Sequence, residues 1–116
     1  MDSLPSAHFS YRASSLHCEE VALSDLACQY GTPLYVYSRQ TIEEAAQKYE
    51  TAFCGMAHKL CYAVKANSNL AILKILQKRG WGFDIVYLGE LARVLQIGAD
   101  PKKIVFSGVG NTDEEI

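Results

Sequence analysis

The residue with the clearest chemical potential is a lysine at the end of an apolar run. Residues 59–64 (Lys-Leu-Cys-Tyr-Ala-Val) are mostly of types that suit a buried strand, and Lys65 follows them directly. A desolvated ammonium loses its proton more easily, which makes the amine a nucleophile toward carbonyl compounds. The alternative is a lysine whose stem covers apolar surface while its charge stays in water. Position alone leaves both interpretations open.

A carboxylate follows at a spacing that brings it toward this lysine. Asp84 lies near the end of the next predicted strand, and the carboxyl ends of neighbouring parallel strands meet at one edge of a sheet. There it either pairs with the ammonium of Lys65 or is a solvated acid.

A glycine-containing loop is a third, weaker candidate. Residues 108–111 (Gly-Val-Gly-Asn) follow a predicted strand and precede a predicted helix cap, as an anion-binding loop would. Asp113 occupies the place of the third glycine in the G-x-G-x-x-G pattern, and no phosphate-loop lysine follows. This loop alone therefore predicts no nucleotide site.

Alternating strands and helices must position these residues. The predicted strands are residues 34–37, 60–64, 83–86 and 104–107. The first helix is predicted after Ser38, or from a capping box of Thr41 and Glu44, and runs to about Phe53. The second follows Ser68 and ends at Gly80. The third ends at Gly98 and directs four apolar residues to the sheet: Leu88, Leu91, Val94 and Leu95.

This alternation predicts an α/β fold in which parallel strands carry helices on a face. Two architectures fit the pattern. One is the first half of a (β/α)₈ TIM-type barrel, whose full length is roughly 250 residues. The other is a small open doubly wound sheet of flavodoxin type. Periodicity does not separate them, because both use the same units.

The two ends of the sequence differ from this regular part. Residues 1–33 predict a loose leader with strand-like alternation, then a helix of residues around 21–27 that stops at Gly31. Residues 112–116 resemble a helix that is capped but not extended, which suggests a truncated chain. Trp81 is expected to pack where a helix meets a strand.

Composition indicates a globular protein of at most one domain. The net charge of −2, without a basic stripe, gives no footprint for nucleic acid or an anionic membrane. Neither a signal peptide nor a membrane-spanning run is evident. The four cysteines lack metal-ligand spacing, so we expect free, mostly structural thiols and a cytoplasmic protein.

Residues 62–67 (Tyr-Ala-Val-Lys-Ala-Asn), a following helix and residues 82–86 (Gly-Phe-Asp-Ile-Val) together resemble a known family. They are similar to the N-terminal half of the barrel of pyridoxal-phosphate decarboxylases with the alanine-racemase-like fold. The resemblance runs from about His8 to the last residue and favours the half barrel. In that family the motif's lysine holds pyridoxal 5′-phosphate as a Schiff base, and Lys65 matches it.

The resemblance implies further properties. Lys65 is the catalytic residue, and Lys65, Asp84 and Glu90 are cofactor-binding. Residues 89–91 (Gly-Glu-Leu) match the family's sequence at the start of the helix after Asp84, and Glu90 there either acts in the site or interacts favourably with the helix N-terminus. No metal is implied. Residues 1–33 would pack on a C-terminal β-domain, residues 34–116 would be a partial barrel, and the full-length protein would be a homodimer. The phosphate-binding and substrate-binding groups would lie beyond residue 116. One departure is Tyr87-Leu88, where the family usually has serine, often followed by glycine; the larger tyrosine leaves less room beside Lys65.

The substrate remains open among related amino acids. Residues 31–37 (Gly-Thr-Pro-Leu-Tyr-Val-Tyr) favour the branch that converts meso-2,6-diaminopimelate to L-lysine. The alternatives are the branches that act on ornithine, arginine or carboxynorspermidine. A non-catalytic truncated relative that binds a full-length subunit is the alternative of another class.

Overall fold

The structure is a computed structural model that describes residues 8–109 and 112–113. The chain divides into two compact units, residues 1–45 and residues 46–116, which are described separately. Gly110, Asn111 and the last three residues lie outside the described residues. The expectations of an anion-binding loop at residues 108–111 and of a capped helix at residues 112–116 therefore have no complete structural counterpart.

The first unit contains a small antiparallel sheet in place of the expected loose leader. Strands β1 (Phe9–Arg12), β2 (Ser15–Cys18) and β3 (Val21–Ala22) pair in that order, and helix α1 (Leu23–Tyr30) follows at once. A two-residue turn joins β1 and β2, with positive φ angles of 47° at Ala13 and 69° at Ser14. Both angles fit the hairpin turns whose twist matches paired strands.

Residues 34–37 do not form the predicted first strand. They are extended and largely solvent-exposed, with Tyr35 86% exposed, and within the described chain they belong to no sheet. The regular spacing of apolar segments and the family resemblance gave the prediction, but an extended segment becomes a strand only when its backbone groups bond to a neighbour.

Helix α2 (Arg39–Ala52) begins directly after Ser38, as predicted. The Ser38 hydroxyl accepts a hydrogen bond from the Thr41 backbone N–H at 3.0 Å and donates one to Glu19 Oε1 at 2.8 Å. The same Glu19 oxygen accepts from the Gln40 backbone N–H at 2.8 Å. Ser38 is therefore the cap, and the alternative capping box beginning at Thr41 is wrong.

The second unit is built on a parallel sheet. Strands β4 (Cys61–Ala63), β5 (Gly82–Ile85) and β6 (Ile104–Phe106) are hydrogen-bonded in sequence order. Three of the four predicted strands are thereby confirmed. A flavodoxin-type order would separate β4 from β5 by an earlier strand. Their direct pairing instead fits part of an α/β barrel.

Two helices cover one face of this sheet. Helix α3 (Leu70–Lys78) is capped by Asn69, whose Oδ1 accepts from the Ala71 backbone N–H at 2.9 Å. Helix α4 (Leu88–Gln96) follows β5. The fully buried residues of the unit come from these helices, from β5 and from the turn after β4: Val64, Leu73, Phe83, Ile85, Glu90 and Val94.

The inward face of α4 differs from the prediction. Val94 is buried, but Leu88 and Leu95 are 44% and 47% exposed, and Glu90 is buried in their place. Residues 90, 94 and 97 follow helical spacing, so the buried stripe begins with a carboxylate. A pattern of apolar residues therefore predicts the wrong buried stripe when a polar residue is buried with a hydrogen-bond partner nearby.

The cysteines and helices agree only partly with the expectations from composition. All four cysteines are free thiols, but Cys28 and Cys54 are exposed and only Cys18 is buried. Burial raises the pKa of the Cys18 thiol, and the neighbouring Glu19 charge adds to this effect.

No helix among the described residues is both long enough and apolar enough to cross a membrane.

Candidate active site at the carboxyl ends of the parallel strands

The three parallel strands end at one edge of the sheet, and this edge carries the polar residues. In the register, Ala63 of β4 is opposite Asp84 of β5, and Asp84 is opposite Val105 of β6. Lys65 and Ser107 each lie two residues beyond a member of this row. The edge therefore presents an amine, a carboxylate and a hydroxyl on consecutive strands.

Lys65 lies in a short 3₁₀ turn, Val64–Ala66, that follows β4. Val64 is fully buried and anchors the turn. Beyond it, the Tyr62 hydroxyl donates to the Asn67 carbonyl oxygen at 3.2 Å, so one side chain spans the lysine turn. The backbone on both sides of Lys65 is therefore held in place.

The Lys65 side chain is exposed, which agrees with the second of its two interpretations, a lysine whose charge stays in water. Strand β4 is only half-buried because it is an edge strand, and the turn carries Lys65 beyond the last ladder pair. Among the described residues, its Nζ has neither a hydrogen bond nor an ion pair. Lys65 is therefore an accessible amine that no other described residue pairs with.

Asp84 lies between two buried residues of β5, Phe83 and Ile85, and therefore faces the side of the sheet away from their helices. Its Oδ1 accepts a hydrogen bond from the Ser107 hydroxyl at 2.6 Å. The expected ion pair between Asp84 and Lys65 is not formed within the described part of the chain. The structure places both residues at the same edge without joining them.

Glu90 is buried, at 1% exposure, in the first turn of α4. Its Oε2 accepts from the Val86 backbone N–H at 2.7 Å, a donor just before the helix that has no intrahelical partner. The carboxylate also lies at the positive end of the helix dipole. This geometry agrees with the second of its two predicted roles, an interaction at the helix N-terminus.

Tyr87 precedes this helix as its N-terminal flanking residue, and its side chain is 51% exposed. Its ring lies over Gly89: a Cβ at that position would be 2.7 Å from the Tyr87 Cε2 atom. The departure from the family pattern at Tyr87 is therefore accommodated by a glycine two residues later.

A different polar cluster lies at the opposite, amino-terminal ends of the strands. The Glu50 carboxylate accepts from Arg79 Nε at 2.9 Å, from Arg79 Nη2 at 2.5 Å and from Trp81 Nε1 at 2.9 Å. These donors, chiefly Arg79, lower the pKa of Glu50. The Trp81 ring also meets the Tyr49 ring edge to face, with centroids 6.2 Å apart, which confirms the predicted packing of Trp81 between helix and strand.

Sequence reasoning missed Ser107 and the Glu50–Arg79–Trp81 cluster. Ser107 could have been found, because it is a polar residue at the end of a predicted apolar strand, as Asp84 is. The cluster joins residues about 30 positions apart on different elements, so no local sequence pattern predicts it. Within the described residues, no group of acidic, histidine or cysteine side chains has a geometry that would hold a metal ion.

Comparison with known proteins gives consistent matches. Residues 39–116 match the sequence model of a family described as "Pyridoxal-dependent decarboxylase, pyridoxal binding domain". The diaminopimelate decarboxylase of Pseudomonas aeruginosa is 56% identical over 93% of this chain, which spans only 26% of that relative.

Two solved structures are similar over most of the chain. A protein of Aquifex aeolicus superposes with a TM-score of 0.87 at 44% identity, over 93% of this chain and 27% of its own. The diaminopimelate decarboxylase of M. jannaschii, in co-complex with L-lysine, gives a TM-score of 0.86 at 35% identity. It covers 93% of this chain and 26% of its own. The chain thus spans about a quarter of the length of its relatives.

Proposed function

Because the chain belongs to the pyridoxal-dependent decarboxylase family through its pyridoxal-binding domain, we propose that the protein carrying it converts meso-2,6-diaminopimelate to L-lysine and carbon dioxide. The observation that carries the chemistry is the exposed amine of Lys65, which has no partner in residues 8–109 or 112–113 and lies at the carboxyl edge of a parallel sheet. The substrate is supported by the name of the Pseudomonas aeruginosa relative and by the L-lysine in the M. jannaschii complex.

The residues at this edge fit pyridoxal phosphate. The cofactor needs a primary amine that is open to attack on its aldehyde, and Lys65 is such an amine. Ligands of α/β barrels bind at the carboxyl ends of the strands, where Lys65 and Asp84 both lie. Lys65 would hold the cofactor covalently, and Asp84 would face it. Glu90 would support the segment between β5 and α4 through its hydrogen bond with the Val86 backbone N–H.

When bound, pyridoxal phosphate supplies an electron sink for the bond between the substrate's α-carbon and its carboxylate. The chain's own residues supply attachment and proton handling. The Nζ atom of Lys65 is a base when neutral and a proton donor when charged, so it can return a proton after carbon dioxide leaves. Tyr62 and Val64 hold the turn that carries this atom.

The family resemblance supports further parts of the proposal. We propose that residues 1–33 pack on a separate β-domain, that residues 34–116 are part of a TIM-type barrel, and that the protein is a cytoplasmic homodimer.

Borohydride trapping tests the role of Lys65. In the protein that carries this chain, reduction with borohydride followed by peptide mapping should leave the cofactor on Lys65. Lys65→Ala should lose the label, because no other side chain offers an amine at that edge of the described sheet. Lys59→Arg is the matched control, since Lys59 lies at the other end of β4 and donates to the Lys102 carbonyl oxygen. A label on Lys59 or Lys74 in place of Lys65 would contradict the proposal.

Carbon dioxide release from labelled substrates tests the specificity. meso-2,6-Diaminopimelate should be turned over, and ornithine, arginine and carboxynorspermidine should react far more slowly. Preference for one of these three substrates would support decarboxylation but contradict meso-2,6-diaminopimelate as the substrate. A lack of turnover with all four substrates would count against catalysis and favour a binding role.

A further inference from the structure

Ser107 makes a hydrogen bond that the sheet itself does not require. The β5–β6 ladder is already closed by main-chain bonds, and the Ser107 backbone N–H donates to the Ile85 carbonyl oxygen at 3.0 Å. In addition, the Ser107 hydroxyl reaches back to the neighbouring strand and donates to Asp84 Oδ1 at 2.6 Å. This length is typical of a hydroxyl bonded to a charged carboxylate.

The consequence for Asp84 is a fixed orientation. One carboxylate oxygen is bound to Ser107, and Oδ2 has no hydrogen-bond partner among residues 8–109 and 112–113. A carboxylate held by one oxygen presents the other in a fixed direction. Because β5 directs Asp84 away from the helices, its carboxylate lies on the same face of the sheet as the side chain of its register partner Ala63.

We propose that Ser107 is a positioning residue, which holds the Asp84 carboxylate in the orientation that binds the pyridoxal cofactor attached to Lys65. This inference rests on the function proposed above. Ser107 acts through Asp84 and needs no contact of its own with the cofactor. A serine is suited to this task, since its short side chain has one rotatable donor and is placed by a backbone already bonded to β5.

Cofactor affinity is the direct measurement. In the apoprotein that carries this chain, the dissociation constant of pyridoxal phosphate should rise about tenfold in Ser107→Ala, since small misplacements of a binding group cost one to two orders of magnitude. Ser107→Thr keeps the hydroxyl and should stay within about twofold of the parent. Ser24→Ala, on the exposed surface of α1, is the matched control and should change nothing.

A double-mutant cycle separates positioning from a general structural role. In an Asp84→Ala background, the further change Ser107→Ala should have no effect on the dissociation constant, because the residue through which it acts is gone. The melting temperature of the apoprotein should differ by less than about 3 °C between parent and Ser107→Ala, because the ladder bonds remain.

The outcomes distinguish the two proposals. A parent protein that attaches no cofactor at Lys65 contradicts the proposed function and this inference with it. A parent that attaches cofactor, combined with an unchanged affinity in Ser107→Ala, contradicts the inference alone. An equal loss in the parent and Asp84→Ala backgrounds would also contradict it, because Ser107 would then act independently of Asp84.

Discussion

At the scale of single residues, the site combines side chains with unlike surroundings. Lys65 is exposed and unpartnered among the described residues, Asp84 is half-buried and bonded through one oxygen, and Glu90 is buried against a backbone N–H. Breaking a hydrogen bond to a buried carboxylate costs more folding free energy than breaking one at an exposed position, because water cannot replace the lost partner. Glu90 is therefore the residue whose loss should affect the fold, whereas Lys65 and Asp84 are available for chemistry.

Tyr87 should be a cost to cofactor binding and not an adaptation. Its ring is half-exposed and lies over Gly89, and it occupies the place of a small family residue near the site. In the protein that carries this chain, Tyr87→Ser should hold pyridoxal phosphate at least as tightly as the parent, because a smaller side chain leaves more room. Equilibrium dialysis of the apoprotein checks this. Clearly weaker retention in Tyr87→Ser would show that the tyrosine belongs to the site.

The positions of single site residues could be predicted from the sequence where they depend only on where a strand ends. Lys65 and Asp84 were placed at one edge because strands end there, and the register confirms that placement. The exposure of Lys65 was not predictable, since it depends on β4 being an edge strand of the described sheet with a turn beyond it. The positive φ angles at Ala13 and Ser14 were missed as well, because that turn prefers asparagine and glycine.

At the scale of elements, side chains that cross between segments fix the geometry. Arg79 and Trp81, just before β5, hold Glu50 of α2 by three hydrogen bonds. Gly82 then starts β5 at a close approach, where a Cβ would clash with the Lys103 carbonyl oxygen and lie 2.9 Å from Cys61 Sγ. A larger residue at Gly82 would separate the strands.

The Glu50 cluster predicts a stability that is lost in acid. The Arg79 bonds hold the pKa of Glu50 below its usual value, so its contribution is complete above the unfolded pKa of about 4.3 and disappears as pH falls through the lower folded value. At neutral pH, Glu50→Gln should cost about 1–3 kcal/mol of unfolding free energy. The cost should shrink below about pH 4.

Urea unfolding at several pH values measures this difference in the protein that carries this chain. The control is Glu43→Gln, which removes the ion pair with the 68% exposed Arg39 side chain. It should cost less than about 0.5 kcal/mol. A Glu50→Gln penalty that is independent of pH would indicate lost packing in place of a lost charge interaction.

The order of elements was more predictable than their details. Among the described residues, helical spacing predicted α1, α3 and α4, and capping residues predicted α2 with its start after Ser38. The predictions of a strand at residues 34–37 and of the inward face of α4 were wrong for the same reason. Both depend on partners outside the segment: a neighbouring strand in one case, and the Val86 backbone N–H for Glu90 in the other.

At the scale of the whole molecule, the second unit leaves apolar surface uncovered. Among the described residues, β4 and β6 are the two edges of the parallel sheet. Val105 and Phe106 of β6 are 44% and 37% exposed. An open cleft of about 470 Å³ runs along β4 and is lined mainly by aromatic and apolar residues, among them Tyr49, Phe53, Tyr62 and Trp81. Such edges pair readily with other chains.

Residues 1–116 expressed alone should therefore associate, and should not decarboxylate meso-2,6-diaminopimelate. Light scattering after gel filtration should show oligomers that grow with concentration, and amide NMR signals should be broad. Val105→Lys should reduce the association, because a charge on exposed strand surface discourages edge pairing. Sharp, dispersed signals from a monomer, with turnover abolished by Lys65→Ala, would contradict this prediction.

The two ends of the parallel strands have different tasks, and this separation has a consequence for evolution. Glu50, Arg79 and Trp81 hold the unit together at the amino ends, whereas Lys65, Asp84 and Ser107 lie at the carboxyl ends. If the carboxyl edge binds the cofactor as proposed, mutations there can change cofactor attachment without drawing on the stability that the Glu50 cluster supplies at the other end. Residues at the two ends should therefore be free to change independently of one another.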